Sequence, residues 1–154
     1  MSSSLTGCSA VIMMVALTSL AGEVIACSCA APPDPQQALQ EARAVFRGRV
    51  TGIKDQEFDT ARYGTLHKNI ITFEADTVWK GPQQSQVTVE TGPDSALCGY
   101  PFEVGHNYLV YAGNNYYTHG ALETGLCSRT RELVSPGIQE ELDALGHGKS
   151  VTSH

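Results

Sequence analysis

Asn69-Ile70-Ile71-Thr72-Phe73-Glu74-Ala75-Asp76-Thr77-Val78-Trp79-Lys80 makes this chain mainly β. Ile71, Phe73, Ala75, Thr77 and Trp79 recur at every second position, the period of a strand with one face in a core. Gly81-Pro82 ends the pattern. Gln86 to Thr91 alternates again, with Val87 and Val89 on one face, until Gly92-Pro93 breaks it. Upstream, Val45 to Ile53 is rich in β-formers, with Gly48 and Gly52 marking bends or bulges. The polar run Lys54 to His67 reads as a long hairpin loop. Downstream, Asn107 to Ala112 is an apolar, aromatic strand, Gly113 to Gly120 a turn-rich connection, and Leu122 to Leu126 a short closing strand.

Two helices flank these strands. Asp34 can cap a first helix, Pro35 suits its first position, Gln37 can reach back as in a capping box, and the helix runs to about Arg43. Ser135-Pro136 starts a second, with Ile138, Leu142 and Leu145 on one face and Gly146 as its stop. His147 to His154 reads as a flexible tail. Periodicity alone supports a small β-rich barrel or sandwich; about five short antiparallel strands with flanking helices point to a Greek-key barrel of the OB type.

The 154 residues suffice for one domain with a core. The net charge of −6 and the lack of a basic stripe argue against nucleic acid and against an anionic membrane surface. Val11 to Leu20 is an apolar run shorter than the about 20 residues a bilayer needs. It is followed by Val24 and Ala26 at the positions a signal peptidase reads, although Met1 to Ala10 has no Lys or Arg. Residues 1–26 are therefore expected to be a signal peptide, and the mature protein to be secreted, extracellular or periplasmic. Cleavage removes Cys8 and Glu23 and leaves Cys27, Cys29, Cys98 and Cys127. An even set in an exported chain reads as a disulfide framework with three possible pairings.

Cleavage after Ala26 would place Cys27-Ser28-Cys29 at the mature N-terminus. A terminal amine and its neighbouring carbonyl oxygen can together grip a metal ion. If disulfides hold both cysteines, that chelator becomes a rigid, exposed wedge suited to another protein's metal site. Cys27-Ser28-Cys29, Pro35-Gln36-Gln37-Ala38 and Val45-Phe46-Arg47-Gly48-Arg49 resemble the N-terminus of the tissue inhibitors of metalloproteinases, members of the netrin-like group. Val78-Trp79-Lys80-Gly81-Pro82, Ser95-Ala96-Leu97-Cys98-Gly99, Asn107-Tyr108-Leu109-Val110-Tyr111-Ala112-Gly113 and Leu126-Cys127 continue the resemblance in order. It covers most of residues 27–145.

The resemblance implies an OB-type barrel over residues 27–146 and selects the pairings Cys27–Cys98 and Cys29–Cys127. Closing loops of roughly 70 and 100 residues stabilises by about 4–5 kcal/mol each in the chain-entropy model, whereas a Cys27–Cys29 bond would be strained. The resemblance further implies a monomeric inhibitor of a zinc metalloendopeptidase, not an enzyme. The Cys27 amine and carbonyl would bind the protease's zinc, Ser28 would enter its specificity pocket, and Cys29, Ala30, Ala31 and Pro32 would fill further subsites. Ser95, Ala96 and Leu97 would lie beside them. No cofactor of its own is implied, since the zinc is the protease's.

Gln40 stands where the family has a cysteine of a third disulfide, the segment from Cys29 to Pro35 is about one residue longer, and only the N-terminal inhibitory domain is expected here. Two other readings compete. A netrin-like module can bind an extracellular protein without metal chemistry. Val24-Ile25-Ala26-Cys27 also passes as a lipobox, and lipidation would anchor the chain to a membrane and consume the Cys27 thiol. The remaining chemistry is sparse. His67, His106, His119, His147 and His154 lack metal-ligand spacing, and no Gly-x-Ser-x-Gly occurs. Asp55, Glu57 and Asp59 lack the glycine and final glutamate of a calcium loop. Tyr116 and Tyr117 have no basic neighbours of the kind that oligonucleotide-binding barrels use. Trp79 is expected in the core.

Overall fold

The computed structural model describes residues 27–152, so the expected leader, with Cys8 and Glu23, and the last residues Ser153 and His154 lie outside the described residues. The chain runs α1 (Pro35–Glu41), β1 (Ala44–Thr60), β2 (Gly64–Lys80), β3 (Gln86–Thr91), a 3₁₀ turn (Ser95–Leu97), β4 (Asn107–Asn114), β5 (Leu122–Glu123), β6 (Arg131–Glu132), α2 (Ile138–Leu145) and β7 (Lys149–Ser150). Strands β1, β2, β3, β5 and β4 pair in that order, and β4 pairs back onto β1. The result is a closed five-strand sheet of the OB type. It is an uneven barrel, because β5 contributes only two residues. Strand β6 extends it beside β4, and β7 beside β2.

The first strand pair differs from the expected loop. Lys54 to His67 is the outer half of a hairpin whose two strands have 17 residues each, with pairing that runs on to Thr60 opposite Gly64. This half projects past the core, so most of its side chains on either face are solvated and no apolar alternation marks it. Asp55 and Glu57 lie 3.3 and 3.7 Å from the His67 ring nitrogens across the pair, and Thr65 donates to Asp59 at 2.7 Å.

Nearer the core, the two faces of each strand do different work. Ala44, Phe46 and Val50 of β1, with Tyr108, Val110 and Ala112 of β4, point into the barrel. Val45, Leu109 and Tyr111 point outwards, where α1 and α2 cover them. On β2 the inward set is Ile71, Phe73 and Ala75, then Val78. Asp76 and Trp79 have no partner in the register with β1, so each is a bulge that shifts the alternation. Trp79 therefore packs against the helical layer, and its indole N–H donates to the Gly146 carbonyl at 2.8 Å.

Helix α1 starts as its sequence implies, with the Asp34 carboxylate accepting from the Gln36 and Gln37 N–H groups at 3.0 Å. Gln37 does not reach back; its amide donates to Glu41 at 2.8 Å. The helix stops at Glu41, before Arg43, because Ala42 is already extended on the way into β1. Lys80 donates to the Leu39 and Gln40 carbonyls at 3.1 and 2.6 Å, a cation at the helix end where the dipole favours one. Helix α2 begins at Ile138, later than Ser135-Pro136, behind Gly137 with φ 76°, and it stops at Gly146. The closing strand ends at Glu123, leaving Thr124 to Cys127 as loop. Part of the segment expected as a flexible tail is held: Lys149–Ser150 pairs with Thr77–Val78, and Val151 packs on the core. Among the described residues, no helix is long and apolar enough to cross a membrane.

Phe73 is fully buried, with edge-on contacts to Phe46 and Phe102 at centroid distances of 5.3 Å. Phe73→Ala is expected to destabilise the fold by about 3–5 kcal/mol, read as a fall in the urea midpoint with the disulfides intact.

Candidate functional site

Residues 27–32 form an extended ridge at one end of the barrel. Cys27 is half-buried, while Ser28, Cys29, Ala30, Ala31 and Pro32 are exposed. The disulfides join Cys27 to Cys98 and Cys29 to Cys127, with Cα separations of 5.4 and 5.1 Å. The two bonds touch: the sulfurs of Cys27 and Cys127 are 3.7 Å apart. Cys27, Cys98 and Cys127 also gather as potential metal ligands, but oxidised sulfurs are not the thiolates that bind metal.

Cys98 is held by its own backbone. It follows the Ser95–Leu97 turn with φ 59°, the left-handed region, and is the one non-glycine residue there among the described residues. The Asp94 carboxylate accepts from the Leu97 N–H at 3.0 Å, and the Asp94 carbonyl from the Gly99 N–H at 2.8 Å. The Cys98 carbonyl accepts from the Leu126 N–H at 2.9 Å, which brings the Cys127 loop alongside. Glycines make this approach possible. A Cβ on Gly99 would stand 2.1 Å from the Gly92 oxygen, and one on Gly125 would stand 2.5 Å from the Cys98 oxygen. Through Cys98, the exposed Ser95, Ala96 and Leu97 are tied to the ridge.

Hydroxyls fasten the other loop. Thr124, before Cys127, donates to the Tyr111 carbonyl at 2.9 Å and lies 2.9 and 2.8 Å from the hydroxyls of Ser128 and Thr130, which follow Cys127. Arg129 follows. Its Nε donates to Glu141 at 2.6 Å, Nη2 donates to the other carboxylate oxygen, and Nη1 donates to the Pro33 carbonyl at 2.7 Å. Tyr111 adds a hydroxyl donor to Glu141 at 2.8 Å. Burial alone would raise the Glu141 carboxyl, but the hydrogen bonds from Arg129 and Tyr111 hold it below its ordinary value. Burial, with the hydrogen bond to Glu141, pushes the Tyr111 hydroxyl up.

A model of the family described as tissue inhibitor of metalloproteinase matches residues 25–137. This chain belongs to that family. Among its relatives, metalloproteinase inhibitor 2 of Homo sapiens is 32% identical over 100 residues, 63% of this chain and 45% of the relative. The Gallus gallus protein of the same name is 29% identical over 135 residues, 85% of this chain and 60% of the relative. That of Canis lupus familiaris is 28% identical over 115 residues, 74% of this chain and 52% of the relative. The chain thus spans about half the length of the relatives it matches.

Other residues singled out in the sequence lie apart from the ridge. His67 belongs to the hairpin, and His106 sits 2.6 Å from Glu132 beside β6. Tyr116 is 85% exposed and packs edge-on against Tyr117, which in turn leans on Phe58. Lys68 and Glu90 form a buried ion pair at 2.8 Å that the sequence did not reveal; Asn115 joins it at 2.6 Å and anchors the loop after β4. Arg129, Glu141 and the hydroxyls around Cys127 were also missed. The available signal was a cluster of hydroxyls and one arginine around a cysteine, a pattern with no periodicity.

Gly99→Ala is expected to cost about 1–3 kcal/mol and to speed reduction of Cys27–Cys98 by dithiothreitol, followed by mass spectrometry. The Glu141 pKa is depressed on folding, so its contribution is complete above the ordinary value of 4.5 and is lost as pH falls through the folded value. Urea unfolding from pH 7 to pH 3 should show this acid-side loss, and Glu141→Gln should flatten it.

Proposed function

We propose that this protein is a secreted, monomeric inhibitor of a zinc metalloendopeptidase that acts through its mature N-terminus. The observation that carries this reading is the Cys27–Pro32 ridge, exposed from Ser28 onward and stapled by both disulfides, in a chain of this family. Catalytic zinc usually keeps one position open for the water that attacks the substrate. After cleavage at Ala26, the Cys27 amine and carbonyl oxygen would displace that water and bind the zinc as a bidentate ligand, making it five-coordinate. The zinc is the partner's; this chain supplies only ligands. Ser28 would enter the specificity pocket, where its small hydroxyl leaves room. Cys29, Ala30, Ala31 and Pro32 would lie along further subsites, and Ser95, Ala96 and Leu97 would flank them.

Two physical features support inhibition without turnover. The ridge is tied by two disulfides before binding, which limits the entropy lost on docking. Its chelating atoms belong to Cys27, which is itself disulfide-bonded, and Cys29 is bonded two residues on, so the segment cannot readily be drawn through a protease cleft as a flexible peptide would be. The amine must be unprotonated to coordinate, and a free α-amine titrates near about 7.7–8.0. Metal binding competes with that proton, so inhibition should weaken as pH falls below neutrality.

One alanine added before Cys27 moves the amine off the chelating position and leaves the barrel untouched. Inhibition of a metalloproteinase catalytic domain by this variant is expected to fall by about two orders of magnitude or more, with unchanged thermal unfolding. Equal inhibition by both proteins would contradict the zinc-binding role. Protein binding that survives the extension would favour a netrin-like binding module.

A further inference from the structure

We propose that Arg129 is a positioning residue for the N-terminal ridge, a third and non-covalent pin that fixes the far end of the segment the disulfides hold at Cys27 and Cys29. The proposal rests on the inhibitory reading and adds to it the residue that sets the direction of the ridge beyond Cys29.

The argument starts from Pro32 and Pro33. Neither has a backbone N–H, so this stretch of main chain can be fastened by hydrogen bonding only through its carbonyls. The Pro33 carbonyl accepts from Arg129 Nη1 at 2.7 Å. A single such bond would do little if the donor were mobile. Here the guanidinium is itself fixed, because Nε and Nη2 both engage the Glu141 carboxylate. The Glu141 side chain is 2% exposed and that of Arg129 16%. Glu141 is anchored in turn on α2 and by the Tyr111 hydroxyl of β4. The pin therefore connects the ridge to the barrel and to the second helix.

The spacing gives the contact its effect. Arg129 lies two residues past Cys127, the partner of Cys29. Cys29 and Pro33 are thus held by one short piece of chain, covalently at one end and by a guanidinium at the other. The exposed Ala30, Ala31 and Pro32 are bracketed between them. Helix α1 carries no cysteine, so it lacks a covalent tie and cannot by itself fix the exit of the ridge as rigidly. A lysine could keep the charge beside Glu141, but a point-like ammonium cannot span a carboxylate and a carbonyl in the fixed fork that arginine provides.

The test compares Arg129→Lys, and the paired Arg129→Leu with Glu141→Leu that leaves no buried lone charge, with the unaltered mature protein. Two readouts are taken: ¹⁵N order parameters of the Ala30 and Ala31 amides, and the inhibition constant against a zinc metalloproteinase catalytic domain. Both variants are expected to keep two disulfides and rigid core amides. The Ala30 and Ala31 order parameters should fall from about 0.85 to below about 0.6, and the inhibition constant should rise about tenfold. Unchanged order parameters, or looser alanines with an unchanged inhibition constant, would overturn the positioning role. An unaltered protein that is rigid at Ala30 and Ala31 yet inhibits no metalloproteinase would overturn the inhibitory reading, and with it this role.

Discussion

Two disulfides whose sulfurs touch are the constraint on which the rest of this structure depends. Cys27 and Cys29 are two residues apart, yet their partners sit on different connections, one after β3 and one after β5. Both connections must therefore emerge at the same end of the barrel. The sheet order makes this possible, since β3 and β5 are parallel neighbours and leave the barrel side by side. The close backbone approach that follows explains the glycines at 92, 99 and 125 and the left-handed backbone at Cys98. A fold that merely needed stability could place its disulfides apart. Placing both on one short exposed segment makes that segment rigid.

The non-covalent fastenings of the loops and helix ends follow a related logic. Lys68–Glu90 and Arg129–Glu141 are buried or nearly so. Buried ion pairs are weak sources of net stability, because desolvation offsets their attraction. Each here satisfies several partners at once and sits where a loop would otherwise be loose. Lys68 and Glu90 hold the loop after β4, through Thr118 and Asn115. Arg129 and Glu141 hold the exit of the ridge. Lys80 holds the end of α1, a helix without a cysteine. Charge and hydrogen bonding thus fix geometry at several points that no disulfide reaches.

The β-rich core was legible in the sequence because burial leaves a period, while the choice of barrel over sandwich came from the strand count and the resemblance. β3 lies where its alternation puts it, and β2 was recognised from Ile71, Phe73 and Ala75. The outer half of the first hairpin was not legible, since a strand pair that buries little on either face carries no hydrophobic period. The bulges at Asp76 and Trp79 were hidden for another reason: a bulge is a relation between two strands, and one strand's pattern does not record it. The same limit applies to the site. The resemblance carried the Cys-x-Cys segment and the disulfide pairing found in the structure. Arg129 and Glu141 meet only through the fold, and nothing local in either segment announces the other.

The central claim is that the Cys27 amine and carbonyl are the atoms that meet a partner's zinc. A crystal structure of the mature protein bound to a metalloproteinase catalytic domain tests it most directly. The account predicts the Cys27 nitrogen and carbonyl oxygen at about 2.0–2.2 Å from the zinc, with the catalytic water gone. A complex in which the zinc keeps its water, and the ridge lies elsewhere, would contradict it.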